Sequence, residues 1–278
     1  MAMLPNPLPA LAADPTGSSL GLTLPPGRLV HDTEDGPASE PLLWMAELAA
    51  GPQSWADALP ARAVGLLPVL LNLDGSPLVG WELSPATMSY PGDHDAEEVL
   101  AGYWTGEAWQ DEEEDNSDEG ADAEAEADDE EAHHDWPGLA PALPPQADPD
   151  ERAAEIAGEL AAAAPATARV ALVHARRSAD IPAAIGWCGP LNHDNDVARL
   201  CAVLRSWEER FGIRVVGLGF DTLTVSVAAP PRTPEEAAAV AAEHYAFCPD
   251  NIDQGCGSLE EYAAKEVLDR TAWTFWWD

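Results

Sequence analysis

Two histidine-containing groups in the C-terminal half of this sequence combine side chains that can bind metal or transfer protons. The first is His244 and Cys248, which lie four positions apart in a helical pattern, so both would lie on one helix face. Zinc is commonly bound by imidazole and thiolate, and Cys256 and Asp250 are available as further ligands. Because the same face carries apolar residues such as Val240, burial of both side chains in the core is favoured. We therefore expect no tightly bound metal.

The second group is His193, Asp194 and Asp196, an HDxD cluster at the start of a predicted helix. Such a cluster can hold a divalent cation or supply an acid and a base. The structural alternative is a helix cap, in which Asp194 caps the first turn and Asp196 interacts favourably with the helix dipole. A hydrolase or metal-dependent enzyme that uses His193 and Asp194, or His244 and Cys248, is therefore the alternative function.

The motifs of several common enzyme classes are missing. The chain has no GxSxG, Walker A, GxGxxG or HExxH motif, and GLGFD (217–221) lacks the third glycine and the following helix of a dinucleotide site. Cys188 lies in the loop GWCGP with no obvious base beside it, so a plain thiol is favoured over a nucleophile. We expect no cofactor.

Two loops carry more polar and aromatic side chains than a turn requires. They are GWCGPLNHD (186–194) and CPDNIDQG (248–255), and we expect them to lie near one another and to form a binding surface. The alternative is that their Asn and Asp side chains make only local turn and cap hydrogen bonds. The residues expected in this surface are Trp187, Asn192, His193, Asp194, Asp250, Asn251 and Gln254.

The elements that must position these loops are well marked between residues 150 and 278. VALVHA (170–175) is typical of a central strand buried on both faces, and the short strands on either side of residues 220–222 predict a tight antiparallel hairpin. Gly212 marks the end of a helix with one apolar stripe. Capping residues begin four helices, at Asp150, Asp194, Thr233 and Ser258. The order of these elements predicts a small mixed sheet covered by helices.

The remainder of the chain has weaker signals. Residues 1–19 are Pro-rich and are expected to be poorly ordered, and residues 20–110 are predicted to form a smaller strand-rich α+β domain. Residues 111–149 combine like charges with prolines and are expected to be a disordered linker before a C-terminal domain over residues 150–278. The strand-like runs are Leu20–Leu24, Leu42–Met45, Leu66–Leu73 and Leu78–Leu83, and the helices near Ser54 and Asp95 complete this domain. The fold class is thus α+β (mixed α/β).

Charge excludes some partners. The 278 residues include 50 acidic and 13 basic side chains, a formal net charge of −37. Such a field repels phosphate backbones and anionic bilayers, so we expect neither nucleic-acid nor membrane binding. The start of the chain does not resemble a secretory signal, and the four cysteines lack CxxC spacing, so a cytoplasmic location with free thiols is expected.

Four stretches together resemble a known family. ADIPAAIGWCGPLN, LRSWEERFGIRVVGLGFDTLTVSVAAPP, AAEHYAFCPDNIDQG and WTFWWD are similar to the bacterial family catalogued as domain of unknown function 4253, over roughly residues 169–278. The resemblance implies a cytoplasmic bacterial protein but no activity, cofactor or catalytic residue. We therefore predict a non-enzymatic protein-interaction or regulatory module with an unknown protein partner.

Overall fold

Two strands buried on both faces organise the fold in the computed structural model, which describes residues 5–73, 75, 83–106 and 135–278. These strands are β5 (Leu66–Leu71) and β6 (Arg169–His174), and they pair antiparallel over their whole length. Both are almost entirely apolar, so each needs a partner strand on both edges and a helical layer on both faces. The rest of the fold supplies these neighbours.

Seven of the described strands form one sheet. Its other strands are β1 (Gly27–Val30), β4 (Leu43–Ala46), β7 (Arg214–Leu218), β8 (Thr222–Ser226) and β9 (Ala272–Trp276). The sheet order is β1-β4-β6-β5-β7-β8-β9, and each neighbouring pair is antiparallel except β5 and β7, which are parallel. A separate two-stranded hairpin contains β2 (Asp32–Thr33) and β3 (Gly36–Pro37).

Helices cover both faces of the seven-stranded sheet. The α-helices are α1 (Ala10–Ala13), α2 (Ser54–Ala58), α3 (Ala96–Thr105), α4 (Pro149–Ala163), α5 (Ile181–Ile185), α6 (Val197–Phe211), α7 (Pro234–Phe247) and α8 (Leu259–Tyr262). Short 3₁₀ helices span Ser18–Leu20, Leu59–Val64, Pro91–Asp93 and Ser178–Asp180, and π-helical turns span Asn251–Cys256 and Ala263–Val267. Within the described ranges, no helix is long and apolar enough to cross a bilayer.

The two sheet faces bury different helices because successive strand residues point to opposite sides. Val69 and Val173 face α3, α6 and α7 in the larger core. Leu70 and Val170 lie on the opposite face, where Ile156 of α4 packs against them. The predicted mixed α/β class is therefore confirmed, with a sheet larger than the small one expected.

Several sequence signals are confirmed in detail. Strands β7 and β8 form the predicted antiparallel hairpin. Thr233 begins α7 with a capping box, in which its side chain accepts from Glu236 N and the Glu236 side chain accepts from Thr233 N. Gly212 ends α6 with a φ of 62°, a conformation that glycine adopts without strain. Two predicted caps are displaced: Asp196 rather than Asp194 caps α6, and Asp148 rather than Asp150 caps α4.

The arrangement of the N-terminal half differs from the expected separate domain over residues 20–110. Strands β1, β4 and β5 lie in the same sheet as the four strands from residues 169–276. The physical reason is that β6 is apolar on both faces and has two edges to pair, and β4 and β5 occupy those edges. Of the predicted strands, Leu20–Leu24 is not a strand, and all of Leu78–Leu83 except its last residue lies outside the described residues.

Two segments that were expected to be disordered, residues 1–19 and 111–149, pack against the rest of the chain where the structure describes them. Leu8 and Leu11, in the N-terminal segment 5–19, are 0% and 2% exposed and pack against Trp44. In the predicted linker, Leu143 N donates to Arg210 O and Gln146 N donates to Ala228 O. Residues 136–148 contain four prolines and form no helix or strand, and their backbone bonds to α6 and to the segment after β8. Residues 111–134 of that predicted linker lie outside the described residues.

One buried carboxylate joins residues 136–148 to the helices α6 and α7. Glu243 of α7 is 0% exposed, and its two oxygens accept from the Nη1 and Nη2 groups of Arg210, each at 2.6 Å. The same carboxylate accepts from Trp207 Nε1 at 2.7 Å and from Ala140 N at 2.6 Å. A buried charge is tolerated because a bidentate guanidinium and two further donors surround it.

The first prediction concerns this carboxylate. In Glu243→Ala, Arg210 keeps its charge but loses its partner, and the donors of Trp207 and Ala140 lose their acceptor. We expect a loss of about 3–5 kcal/mol in the free energy of unfolding, measured by urea denaturation with tryptophan fluorescence.

The matched control is Glu209→Ala, which removes a carboxylate whose side chain is 66% exposed and pairs with Arg177. The free energy of unfolding of that variant should fall by about 1 kcal/mol or less. Losses of equal size in the two variants would contradict the assigned role of Glu243.

Candidate functional site

The two loops selected from the sequence meet at Asp278. Asn192 Nδ2, in the first loop, donates to the Asp278 carbonyl oxygen at 2.7 Å. Asp250 Oδ2, in the second loop, accepts from Asp278 N at 3.1 Å. The two loops therefore lie at the same end of the sheet, on opposite sides of the segment that follows β9.

A recess of about 320 Å³ opens beside the first loop. Its lining residues are Trp187, Cys188, Gly189, Leu191, Asn192, Phe220, Asp221, Trp277 and Asp278. Trp187 and Trp277 are only 1% and 2% exposed and contact each other edge to face, with ring centroids 5.8 Å apart. Leu191 and Phe220 are 46% and 49% exposed. The recess thus has a buried aromatic floor and an apolar, solvent-facing rim.

Hydrogen bonds hold the first loop against the β7–β8 hairpin. Trp187 Nε1 donates to the carbonyl oxygens of Gly219 and Phe220, at 3.0 and 3.1 Å, which satisfies the buried indole N–H. Gly189 lies over the Trp187 ring so closely that a Cβ at this position would be 2.0 Å from Trp187 Cζ2. A glycine is therefore required where the loop backbone crosses the indole.

The polar part of the rim comes from the turn of the hairpin. Asp221 Oδ2 accepts from Trp276 Nε1 at 3.1 Å, and Asp221 O accepts from Trp277 N at 3.2 Å. Asp221 thereby ties the turn to β9 while its carboxylate remains at the edge of the recess. Among the described residues that line the recess, none is basic.

The second loop has a more structural role than the sequence suggested. Asn251 Nδ2 donates to Thr274 O at 2.7 Å, and Asn251 Oδ1 accepts from Trp276 N at 3.1 Å, so this side chain holds β9 in place. Gln254 Nε2 donates to Asp250 Oδ1 at 3.0 Å. None of Asp250, Asn251 and Gln254 is among the lining residues of the recess, so the recess is narrower than the predicted surface.

His193 and Asp194 lie away from the recess lining, between α3 and α6. The Asp194 carboxylate accepts from Tyr103 Oη and from Asp196 N, and it pairs with Arg199 at 3.2 Å. Burial is the main cause that raises the pKa of Asp194. The His193 ring lies 4.5 Å from the Tyr103 ring, and burial lowers its pKa to about 4. Asp194 is occupied by these partners, as a structural carboxylate would be.

His244 and Cys248 are both 0% exposed. His244 Nδ1 is 3.1 Å from Tyr262 Oη, and the ring packs 4.5 Å from the Trp273 ring. Cys248 Sγ donates to Trp276 O at 3.0 Å, and burial raises the pKa of this thiol to about 12. A neutral thiol is a poor metal ligand, since zinc binds the thiolate. In the described part of the chain, no group of three or more His, Cys, Asp or Glu side chains is placed to hold a metal ion.

Four lining residues lie outside both loops predicted from the sequence: Phe220, Asp221, Trp277 and Asp278. One usable signal was Phe220, because a large aromatic side chain at the tip of a three-residue turn has no local structural purpose there. The contact between Trp277 and Trp187 could not be predicted from a local pattern, since it depends on a strand that pairs with the hairpin.

The second prediction uses the buried histidine of this region. Burial lowers the pKa of His244 to about 3, below the usual value of 6.5, so the unfolded chain binds a proton that the folded chain does not. The stability contributed by this group is therefore full at neutral pH and is lost as pH falls below 6.5. Between pH 7 and pH 5, this proton uptake by the unfolded chain lowers the free energy of unfolding by about 2 kcal/mol.

Between pH 7 and pH 5, the free energy of unfolding of His244→Phe should fall by about 2 kcal/mol less than that of the natural chain. Urea denaturation at both pH values measures this difference. The control is His31→Phe, at a half-buried position. If the natural chain and His244→Phe change equally with pH, His244 is not held neutral by burial.

Comparison with known proteins agrees with the resemblance seen in the sequence. No curated protein and no solved structure matches the chain. A family model covers strands β6 to β9 and every residue of the candidate site from Trp187 to Asp278. The C-terminal region, residues 169–278, thus matches the family described as Domain of unknown function (DUF4253).

Proposed function

We propose that this protein is a non-enzymatic interaction module of the bacterial cytoplasm and that its recess binds a segment of a partner protein. The observation that carries the proposal is the placement of exposed apolar side chains. In the described ranges, four large hydrophobic side chains are strongly exposed, namely Leu48, Tyr90, Leu191 and Phe220. Two of them flank the same recess, and exposed apolar clusters of this kind mark interaction sites.

The charge around the recess specifies the partner further. Asp221 and Asp278 line it, and Asp250 contacts Asp278. The whole chain carries a formal charge of −37, which attracts cationic partners over distances near the Debye length. The proposed partner segment therefore presents an aliphatic or aromatic side chain to the recess and a Lys or Arg to the acidic rim.

The buried floor supports binding rather than catalysis. Trp187 and Trp277 are held by the hairpin and by each other, so partner binding would need little reordering of the floor. The four cysteines are free, as expected in a reducing compartment. An enzyme that uses His193 and Asp194, or His244 and Cys248, gains no support from the geometry, since these groups are buried and occupied by structural partners.

The third prediction tests this surface by site-specific cross-linking. A photoreactive phenylalanine at position 220 should form adducts with a discrete partner in cells that express the chain naturally. The same group at position 48, which is 64% exposed but lies outside the recess, should not. Adducts identified by mass spectrometry should contain a basic and an apolar side chain close together.

Substitutions provide the quantitative test. Phe220→Ser and Leu191→Ser should each reduce capture of that partner by about tenfold or more, because each removes apolar surface that the partner would bury, which contributes about 1.5–3 kcal/mol for a Leu or Phe side chain. Leu48→Ser and Gln254→Ala should leave capture unchanged, and all four melting temperatures should stay close to that of the natural chain. Equal cross-linking at positions 48 and 220, or normal capture by Phe220→Ser, would refute the proposal.

A further inference from the structure

A second and larger cleft lies at the carboxyl end of the central strand β6. It has a volume of about 500 Å³, which is in the range typical of small-molecule sites. Its lining includes His174, the last residue of β6, and Arg176, two residues beyond it. The cleft is separate from the recess, and the two share no lining residue.

Two guanidinium groups and one phenol converge in this cleft. Arg176 Nη1 donates to Tyr90 Oη at 2.9 Å, and the guanidinium carbon of Arg205 lies 5.1 Å from the centre of the Tyr90 ring. The chain has only 13 Lys and Arg residues against 50 acidic residues, and two of these arginines lie against one exposed tyrosine in a cleft whose acidic lining residues are Glu40 and Asp180. Arg176 comes from the loop after β6 and Arg205 from α6, so the fold and not local sequence brings them together.

The acidic residues of the cleft are already engaged. Asp180 Oδ1 accepts from Arg205 Nε at 2.5 Å, and Glu40 Oε2 accepts from Asn6 Nδ2 at 3.0 Å. Arg205 uses its Nε group for Asp180, and its Nη1 group lies next to Gly92 on the side of Tyr90. The bond to Asp180 therefore fixes the direction of the guanidinium without covering it.

Gly92 allows the close approach of these groups. A Cβ at this position would lie 2.4 Å from Tyr90 Cε1 and 2.9 Å from Arg205 Nη1. Any larger residue would push the ring and the guanidinium out of their present arrangement.

The environment of the Tyr90 hydroxyl favours negative charge on oxygen. Hydrogen bonds from Arg205 and Arg176 are the two largest causes that lower the pKa of Tyr90. Two guanidinium groups thus lie close to this side chain, in a chain whose formal net charge is −37. An anionic oxygen of a ligand at the same place would be stabilised by the same donors.

The cleft also has apolar lining residues, among them Leu42, Pro85, Met88 and Ala183. A ligand that fills it would therefore carry an apolar body next to its charged group. We propose that the cleft binds a small organic anion, a phosphate monoester or a carboxylate with an apolar body. Its oxygens lie between Arg176 and Arg205 beside the Tyr90 hydroxyl, and its apolar part lies against Leu42 and Met88.

The fourth prediction tests this site with defined probes, using the full chain at about 0.15 M ionic strength, where the Debye length is about 8 Å. Phenyl phosphate and benzoate separate the phosphate and carboxylate classes, and benzyl alcohol is the neutral control. Isothermal titration calorimetry should show saturable binding of at least one of the two anions and no saturable binding of benzyl alcohol. Arg176→Gln should weaken the binding by about tenfold or more, since it removes a charge-assisted donor.

The matched control is Arg232→Gln, which removes an arginine whose side chain is 55% exposed and pairs with Asp269 outside the cleft. This variant should change the affinity by less than about twofold. Gly92→Ala keeps every charge but displaces Tyr90 and Arg205, so it should weaken anion binding even if Arg176→Gln does not fold. The proposal is wrong if the natural chain binds neither anion, if it binds benzyl alcohol equally well, or if Gly92→Ala binds like the natural chain.

Discussion

The structure depends on the buried carboxylate of Glu243 and the donors that surround it. Arg210 and Trp207 belong to α6, Glu243 belongs to α7, and Ala140 belongs to the extended segment that returns to the sheet before α4. A charge without exposed surface needs compensating donors, and these donors come from both helices, so the interaction holds the two helices relative to each other. The first loop of the candidate site precedes α6 and the second follows α7, so their meeting at Asp278 follows from this constraint.

An aromatic layer extends from this carboxylate to the recess. Trp207 stacks on Phe275 with centroids 5.4 Å apart, Phe275 contacts Phe247 at 4.8 Å, and Phe247 contacts Trp277 at 5.6 Å. Trp277 then contacts Trp187, which forms the floor of the recess. Because a close-packed interior has few voids and low compressibility, the floor is held in one arrangement before any partner arrives. The rim residues Leu191 and Phe220 are outside this layer and face solvent, which is where a binding surface needs its apolar contacts.

Local signals in the sequence were sufficient for local structure. The capping box at Thr233, the helix end at Gly212 and the β7–β8 hairpin each depend on a few adjacent residues, and all three are present as predicted. The order of strands in the sheet could not be predicted from the sequence. Strand β5 is separated from β6 by about a hundred residues, and no local pattern specifies its partner. The same limit applies to function. The two loops were recognised from their composition, whereas the recess also needs Phe220 and Trp277, and the second cleft needs Tyr90, Arg176 and Arg205 from three distant segments.

One sheet unites both halves of the chain, and the second cleft exists only in that arrangement, since Tyr90 comes from one half and Arg176 and Arg205 come from the other. The most direct test is an engineered protease site between residues 120 and 121, cleaved under native conditions and followed by size-exclusion chromatography. Strand β5 pairs with β6 and runs parallel to β7 across the cut, so both fragments should elute together at the volume of the intact chain. Two folded fragments that elute separately would contradict the single sheet and restore two independent domains.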